Sequence, residues 1–201
     1  MAKLVFTADQ FKKMVDPVDE RSKHIRYVCY ANAASIPQDI ENWMETNPRE
    51  QKMTTNVAKT ISSSLQENAN FHELNRGILL SAESVEYDNQ KKQVTIVLSD
   101  PSVHGNIDGG HTLRAILEAK KSGVVFNDRY VFMEIFTGLD TPVELAAARN
   151  TSVQVDLKSI EELKDSFKII KECFSDLPFA SRIAYKMNEH YNCLLYTSDA
   201  A

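Results

Sequence analysis

The sequence predicts an α/β fold, a mixed α+β arrangement in which a mixed sheet is flanked by helices. Three observations lead to it. Runs of β-branched and aromatic residues alternate with segments of helical periodicity, a pattern that favours layered α/β architecture over a bundle or a pure β sandwich. A polar, glycine-rich turn, Gly105-Asn106-Ile107-Asp108-Gly109-Gly110-His111-Thr112, runs straight into an amphipathic stretch. The 201 residues are 43% hydrophobic and 25% charged, enough for one buried core, and show neither an internal repeat nor a low-complexity segment.

Residues 1–48 form an N-terminal segment of short apolar and polar pieces, expected either to precede the core or to join it. Within it Tyr27-Val28-Cys29-Tyr30-Ala31 reads as a strand. Ile36-Pro37 opens a short helix in which Ile40, Trp43 and Met44 share a face, and Asn47-Pro48-Arg49 ends it. Val57, Ile61 and Leu65 recur every four residues beside Ala58 and Ser62, which predicts a helix over 56–67 with one apolar stripe. Residues 77–82 and 94–98 read as two strands of a hairpin, with Asp88-Asn89-Gln90 supplying the turn.

After the glycine turn, a helix is expected over about 112–121. Leu113, Ile116 and Leu117 face inward and Gly123 is available to stop it. Val124-Val125-Phe126 and residues 130–136 resume strand character. Thr141-Pro142 suits a helix start with proline in the first turn, continuing to Arg149-Asn150. Ser159-Ile160-Glu161-Glu162 is a capping-box pattern ahead of Leu163, Phe167, Ile169 and Ile170.

Composition narrows the function classes. No apolar run reaches the roughly 18 residues of a membrane span, and no cationic, apolar leader opens the chain, so a cytoplasmic protein without a membrane partner is expected. Cys29 and Cys173, the only cysteines outside the last nine residues, are too few and too far apart for a disulfide framework or a zinc ribbon. A net charge of −5 argues against a uniformly basic nucleic-acid surface but leaves room for a local patch. Walker, nucleophile-elbow and kinase signatures are missing. Glu134 and Asp140 lie near strand ends, Trp43 and Phe71 read as core residues, and Lys91-Lys92 and Lys120-Lys121 read as solvated ends of elements.

The glycine turn carries the chemistry. In one reading, Gly109 and Gly110 let backbone N–H groups approach a phosphate at the positive end of the following helix. His111 and Thr112 then add side-chain hydrogen bonds, Arg114 supplies positive charge, and Asp108 is a candidate for a magnesium ion that offsets its repulsion from phosphate. In a second reading the turn is only a tight connection, with Asp108 capping and His111 bonded locally. A third, with His104, Asp108 and His111 as a metal triad, lacks the helical H-E-x-x-H spacing.

Four landmarks, in order, carry a family resemblance: Asn47-Pro48-Arg49; Phe71-His72-Glu73-Leu74-Asn75-Arg76-Gly77-Ile78; Asp108-Gly109-Gly110-His111-Thr112; and Ala148-Arg149-Asn150-Thr151-Ser152-Val153-Gln154-Val155. Over about residues 36–172 the chain resembles the AIPR family, named for abortive-infection phage resistance. Many relatives carry Asn-Asn-Gly-Ile where this chain has Asn75-Arg76-Gly77-Ile78, and Asn-Gly-Gly-Gln-Thr where it has Asp108-Gly109-Gly110-His111-Thr112. The Asp-Gly-Gly-His form is also similar to the Asp-Gly-Gln-His-Arg box of DNA-modification-associated proteins and, more distantly, to the glycine-basic box of ParB-like nucleotide-binding domains.

The resemblance implies an AIPR, ParB-like domain over residues 49–192 and a role in bacterial anti-phage defence. The chemistry of the turn, with its more distant ParB-like likeness, adds the expectation of a nucleotide or phosphate ligand, with Mg2+, at residues 108–112. Asn75, Arg76, Arg149 and Asn150 are the matched polar residues that would line the same cleft. The resemblance leaves the molecular activity open: a non-catalytic module that recognises DNA or another phage component is the alternative, and a nuclease with unidentified catalytic residues is the third. Residues 193–201 resemble a translated sequencing adapter, so the domain is expected to be cut short at its C-terminal side.

Overall fold

In the computed structural model, which describes residues 1–47, 51–126, 128–150, 172–175, 183–184 and 195–196, the N-terminal segment is a long strand, β1 (Ala2–Val15). Leu4, Phe6 and Ala8 alternate with exposed or half-buried neighbours and point into the core, as a half-buried strand requires. The register shifts between Asp9 and Lys12, where Gln10 adopts φ +56°, and this bulge moves the next core-side aromatic to Phe11. Phe11 stacks on Tyr87 at 4.4 Å and leans on Tyr27 at 5.7 Å. Before the bulge β1 pairs antiparallel with β5 (Gln93–Leu98), and from Ala8 onward with β2 (Ile25–Asn32).

The sheet has seven strands in the order β4-β5-β1-β2-β7-β3-β6, with β3 at Ile78–Ala82, β4 at Ser84–Asp88, β6 at Gly105–Asp108 and β7 at Tyr130–Thr137. The β3–β7 pair is parallel and the others are antiparallel, so the expected α/β class with a mixed sheet is what the structure shows. The hairpin differs from expectation. β5 turns back onto β4, through Asp88 Oδ1 accepting from Gln90 N (2.9 Å) and Lys91 N (3.1 Å), whereas β3 lies across the sheet between β7 and β6.

One face of the sheet is covered by helix α1 (Asn56–Glu67), the single turn α2 (Phe71–Leu74), helix α3 (Gly110–Lys121) and two short 3₁₀ turns, Ala33–Ser35 and Gln38–Asn42. Thr55 caps α1 by accepting from Ala58 N at 3.2 Å. Its buried stripe is Ala58 and Leu65 with Ile61 partly buried, while Val57 of the expected stripe is 53% exposed. The short segment around Ile36 and Trp43 is therefore 3₁₀ rather than α, and Trp43 and Phe71 are core residues as expected. The opposite face carries a smaller cluster in which Leu79 and Ile107 pack with Ala146 of helix α4 (Pro142–Asn150).

Two further expectations are corrected. Residues 124–126 are not a strand: Phe126 and Val124 pack on the core from a loop, and Val125 is exposed. Lys120 is not a solvated end, since its ammonium donates to the Ile36 carbonyl and burial lowers its pKa. The capping box at 159–162 lies outside the described residues. The chain divides into units Met1–Thr151 and Ser152–Ala201, and in the second a two-residue strand β8 (Ile183–Ala184) pairs in parallel with β9 (Leu195–Tyr196).

Candidate functional site

The glycine turn connects edge strand β6 to α3. Gly109, at φ +75°, is the residue before the helix, and a Cβ there would lie 2.2 Å from the Gly77 carbonyl oxygen. Left-handed backbone and close approach to another backbone segment both exclude a larger residue. A Cβ on Gly110 would meet the Asn47 and Gln51 side chains at 2.8–2.9 Å. Asp108 Oδ1 accepts from Gly109 N at 2.7 Å, which holds the carboxylate against the turn. The amides of Gly110, His111 and Thr112 have no acceptor among the described residues, as the first turn of a helix leaves them.

Asn106, fully buried on β6, ties the turn to distant segments. Its Nδ2 donates to the Asp108 carbonyl at 2.8 Å, and its Oδ1 accepts from Asn47 Nδ2 at 2.7 Å. Its backbone joins in: Asn106 N donates to Trp43 O, and Thr46 Oγ1 donates to Asn106 O, both at 2.8 Å. A second clamp joins the β3 entry to α3. Asn75 Nδ2 donates to Thr112 Oγ1 at 2.9 Å, Thr112 Oγ1 donates to Asn75 Oδ1 at 3.2 Å, and Asn75 Oδ1 also accepts from Gly77 N at 2.8 Å. These buried and half-buried polar groups satisfy one another, so they fix the geometry of the junction.

Beside the turn lies a polar pocket of about 50 Å³, lined by Arg76, Gly77, Ile78, Leu79, Asp108, Phe132, Glu134 and Arg149. Arg76 precedes β3, Asp108 ends β6, Glu134 sits mid-β7 rather than near a strand end as expected, and Arg149 is in the last turn of α4. The register explains their meeting: β3 is hydrogen-bonded to β6 on one side and β7 on the other, with Leu79 opposite both Asp108 and Glu134. Glu134 is 5% exposed and compensated from two sides. Arg149 Nη2 donates to Oε1 at 3.1 Å and Oε2 at 3.2 Å, and Arg26 Nε comes within 2.6 Å of Oε1 without hydrogen-bond alignment. The Arg26 guanidinium also lies 5.8 Å from the centre of the Phe136 ring.

Of the residues singled out in the sequence, Arg76, Asp108 and Arg149 line this pocket, and Asn75 and Thr112 form the adjacent clamp. Arg114 does not line it; its Nε is 3.6 Å from Glu118 Oε1 one helical turn on. His111 Nε2 is buried with no hydrogen-bond partner among the described residues. His104 serves a different turn: Nδ1 accepts from Ser99 N at 3.2 Å and Asp100 N at 3.3 Å, and burial lowers its pKa. Among the described residues no three His, Cys, Asp or Glu side chains are grouped to hold a metal, so the triad of His104, Asp108 and His111 is not assembled. The side chain of Asn150, together with Pro48 and Arg49, lies outside the described residues. Asp140 pairs with Lys23.

Asn47, Asn106 and Arg26 were not signalled as partners. Asn47 and Asn106 stand inside quoted motifs, but nothing local marks them as a pair.

Residues 44–197 match the family described as AIPR protein. No curated protein and no solved structure matches the chain. The matched span covers most of the chain, including Arg76, Asp108, Glu134 and Arg149 of the pocket, and such membership points to antiphage abortive infection. This chain belongs to the AIPR family.

Proposed function

We propose that the chain acts in bacterial anti-phage defence and that the junction beside residues 108–112 is a ParB-like site for the phosphate of a nucleotide. One observation carries the proposal: Arg76, Asp108 and Arg149, from three motifs far apart in sequence, line one polar pocket. Guanidinium groups suit phosphate because their paired donors match its oxygens, and the open amides at the start of α3 add partial positive charge nearby. The volume of about 50 Å³ suits a phosphate-sized group and leaves base and ribose outside. Asp108 and Glu134 oppose an anion, which accords with phosphate arriving as its magnesium complex, for which Asp108 would supply a carboxylate ligand.

The close packing of Gly109 against Gly77, and of Gly110 against Asn47 and Gln51, favours a second reading. There the glycines serve architecture, and the protein recognises DNA or a phage protein through another surface. Equilibrium binding of ATP, CTP and GTP, with and without magnesium, separates the two. The nucleotide reading expects saturable binding to the wild-type chain that weakens at least tenfold in folded Arg149→Ala and Asp108→Ala variants. Absence of binding to all three nucleotides leaves the recognition module.

A further inference from the structure

Glu134 already occupies the position on Arg149 that a ligand's oxygens would take. One guanidinium nitrogen lies across both carboxylate oxygens, at 3.1 and 3.2 Å, at the wall of the pocket. The carboxylate is almost fully buried, so it cannot lose its compensation without a large penalty. Arg26 supplies the reserve: approaching Oε1 from β2 at 2.6 Å, it keeps the charge neutralised when Arg149 turns away. Arg149 is suited to turning. Its side chain is 41% exposed and extends from the last turn of α4, so it can exchange partners without moving buried backbone.

We infer that Glu134 is an internal competitor that holds Arg149 until a ligand arrives and yields it only to a more highly charged anion. The inference rests on reading the pocket as a phosphate site, and it narrows the ligand class. A monoanion resembling the carboxylate gains little by displacing it, whereas a dianionic phosphoryl group gains a second charge and further acceptor oxygens. Selection for phosphate over nitrate or acetate then follows from what the ligand must replace, rather than from contacts to the ligand alone.

Inorganic phosphate and nitrate, titrated against the full chain and followed calorimetrically, provide the test. Glu134→Gln is expected to bind phosphate roughly tenfold more tightly and to discriminate less against nitrate. Arg26→Ala, which leaves Glu134 dependent on Arg149, is expected to bind phosphate severalfold more weakly, and it serves as the readout if Glu134→Gln does not fold. Phosphate binding to the wild type that is unchanged or weaker in folded Glu134→Gln, or unchanged in Arg26→Ala, overturns the competition while leaving the site. No phosphate binding to wild type or either variant overturns the site itself.

Discussion

Asn47 Nδ2 donates a 2.7 Å hydrogen bond to Oδ1 of the buried Asn106, across fifty-nine positions of sequence. The same Asn106 amide donates to the Asp108 carbonyl, so a single side chain links the segment after Trp43 to the start of the glycine turn.

Replacing Asn106 should therefore destabilise the whole junction. Asn106→Ala leaves Asn47 Nδ2 and the Asp108 carbonyl without this partner and is expected to cost about 2–3 kcal/mol. Asn106→Asp should cost at least as much, because a carboxylate accepts from Asn47 but repels the Asp108 carbonyl. Urea unfolding measures both. An Asp variant as stable as wild type contradicts the donor role of Nδ2.

The two glycines of the turn should respond unequally. Gly109→Ala must relieve a backbone contact at 2.2 Å while holding a positive φ, and is expected to cost about 3 kcal/mol. Gly110→Ala meets only the side chains of Asn47 and Gln51, which can shift, and should cost about 1 kcal/mol. Thermal unfolding of the two variants checks the order, which reverses if the mouth of α3 is the more tightly packed place.

Arg26 and Arg149 should behave as alternates rather than independent supports. Each is only partly buried, so Arg26→Ala or Arg149→Ala alone is expected to cost about 1 kcal/mol, because the other still faces Glu134. The double variant leaves a buried carboxylate unpaired and should cost about 3 kcal/mol or more, exceeding the sum. A double-mutant cycle with simple additivity rules out the shared compensation.

His104 should give stability a pH dependence. Its Nδ1 must stay unprotonated to accept from Ser99 and Asp100, and burial holds its pKa below the ordinary 6.5, against the opposing charges of Glu83 and Asp100. The unfolded chain then binds the proton more readily. The stabilisation is complete above pH 6.5 and is lost as pH falls through the lower folded value. His104→Gln, compared with wild type by urea unfolding across this range, should show a shallower decline; identical slopes would exclude the role.

Helix α1 and strand β7 were legible because periodicity and local punctuation agree in them: Thr55 caps an apolar stripe, and residues 130–136 are β-branched or aromatic apart from Met133 and Glu134. β1 was not, because the bulge at Gln10 breaks the two-residue period between Ala8 and Phe11. β4 escaped notice as an edge strand with exposed and half-buried residues in alternation and no apolar run. Val124-Val125-Phe126 misled in the opposite sense, since apolar loop residues that pack inward look like a strand. At the site, the glycine turn announced itself through composition. Arg76 and Arg149 were marked only by resemblance, and the Asn47–Asn106 and Glu134–Arg149 contacts depend on strand order, which no local pattern encodes.

The placement of β2 between β1 and β7 has a consequence for synthesis. Ile25 pairs with Thr137 and Asn32 with Tyr130, so the centre of the sheet waits for a segment translated long after β2. At ribosomal rates of about 5–20 residues per second, the delay is on the order of ten seconds. During it β2 presents an open edge whose eventual partner does not yet exist, and an isolated pair of strands is only marginally stable. The polar pocket, whose Glu134 rides on β7, cannot be completed before that wait ends. A nascent chain is therefore held without its candidate ligand site until nearly all of the seven-stranded unit has left the ribosome.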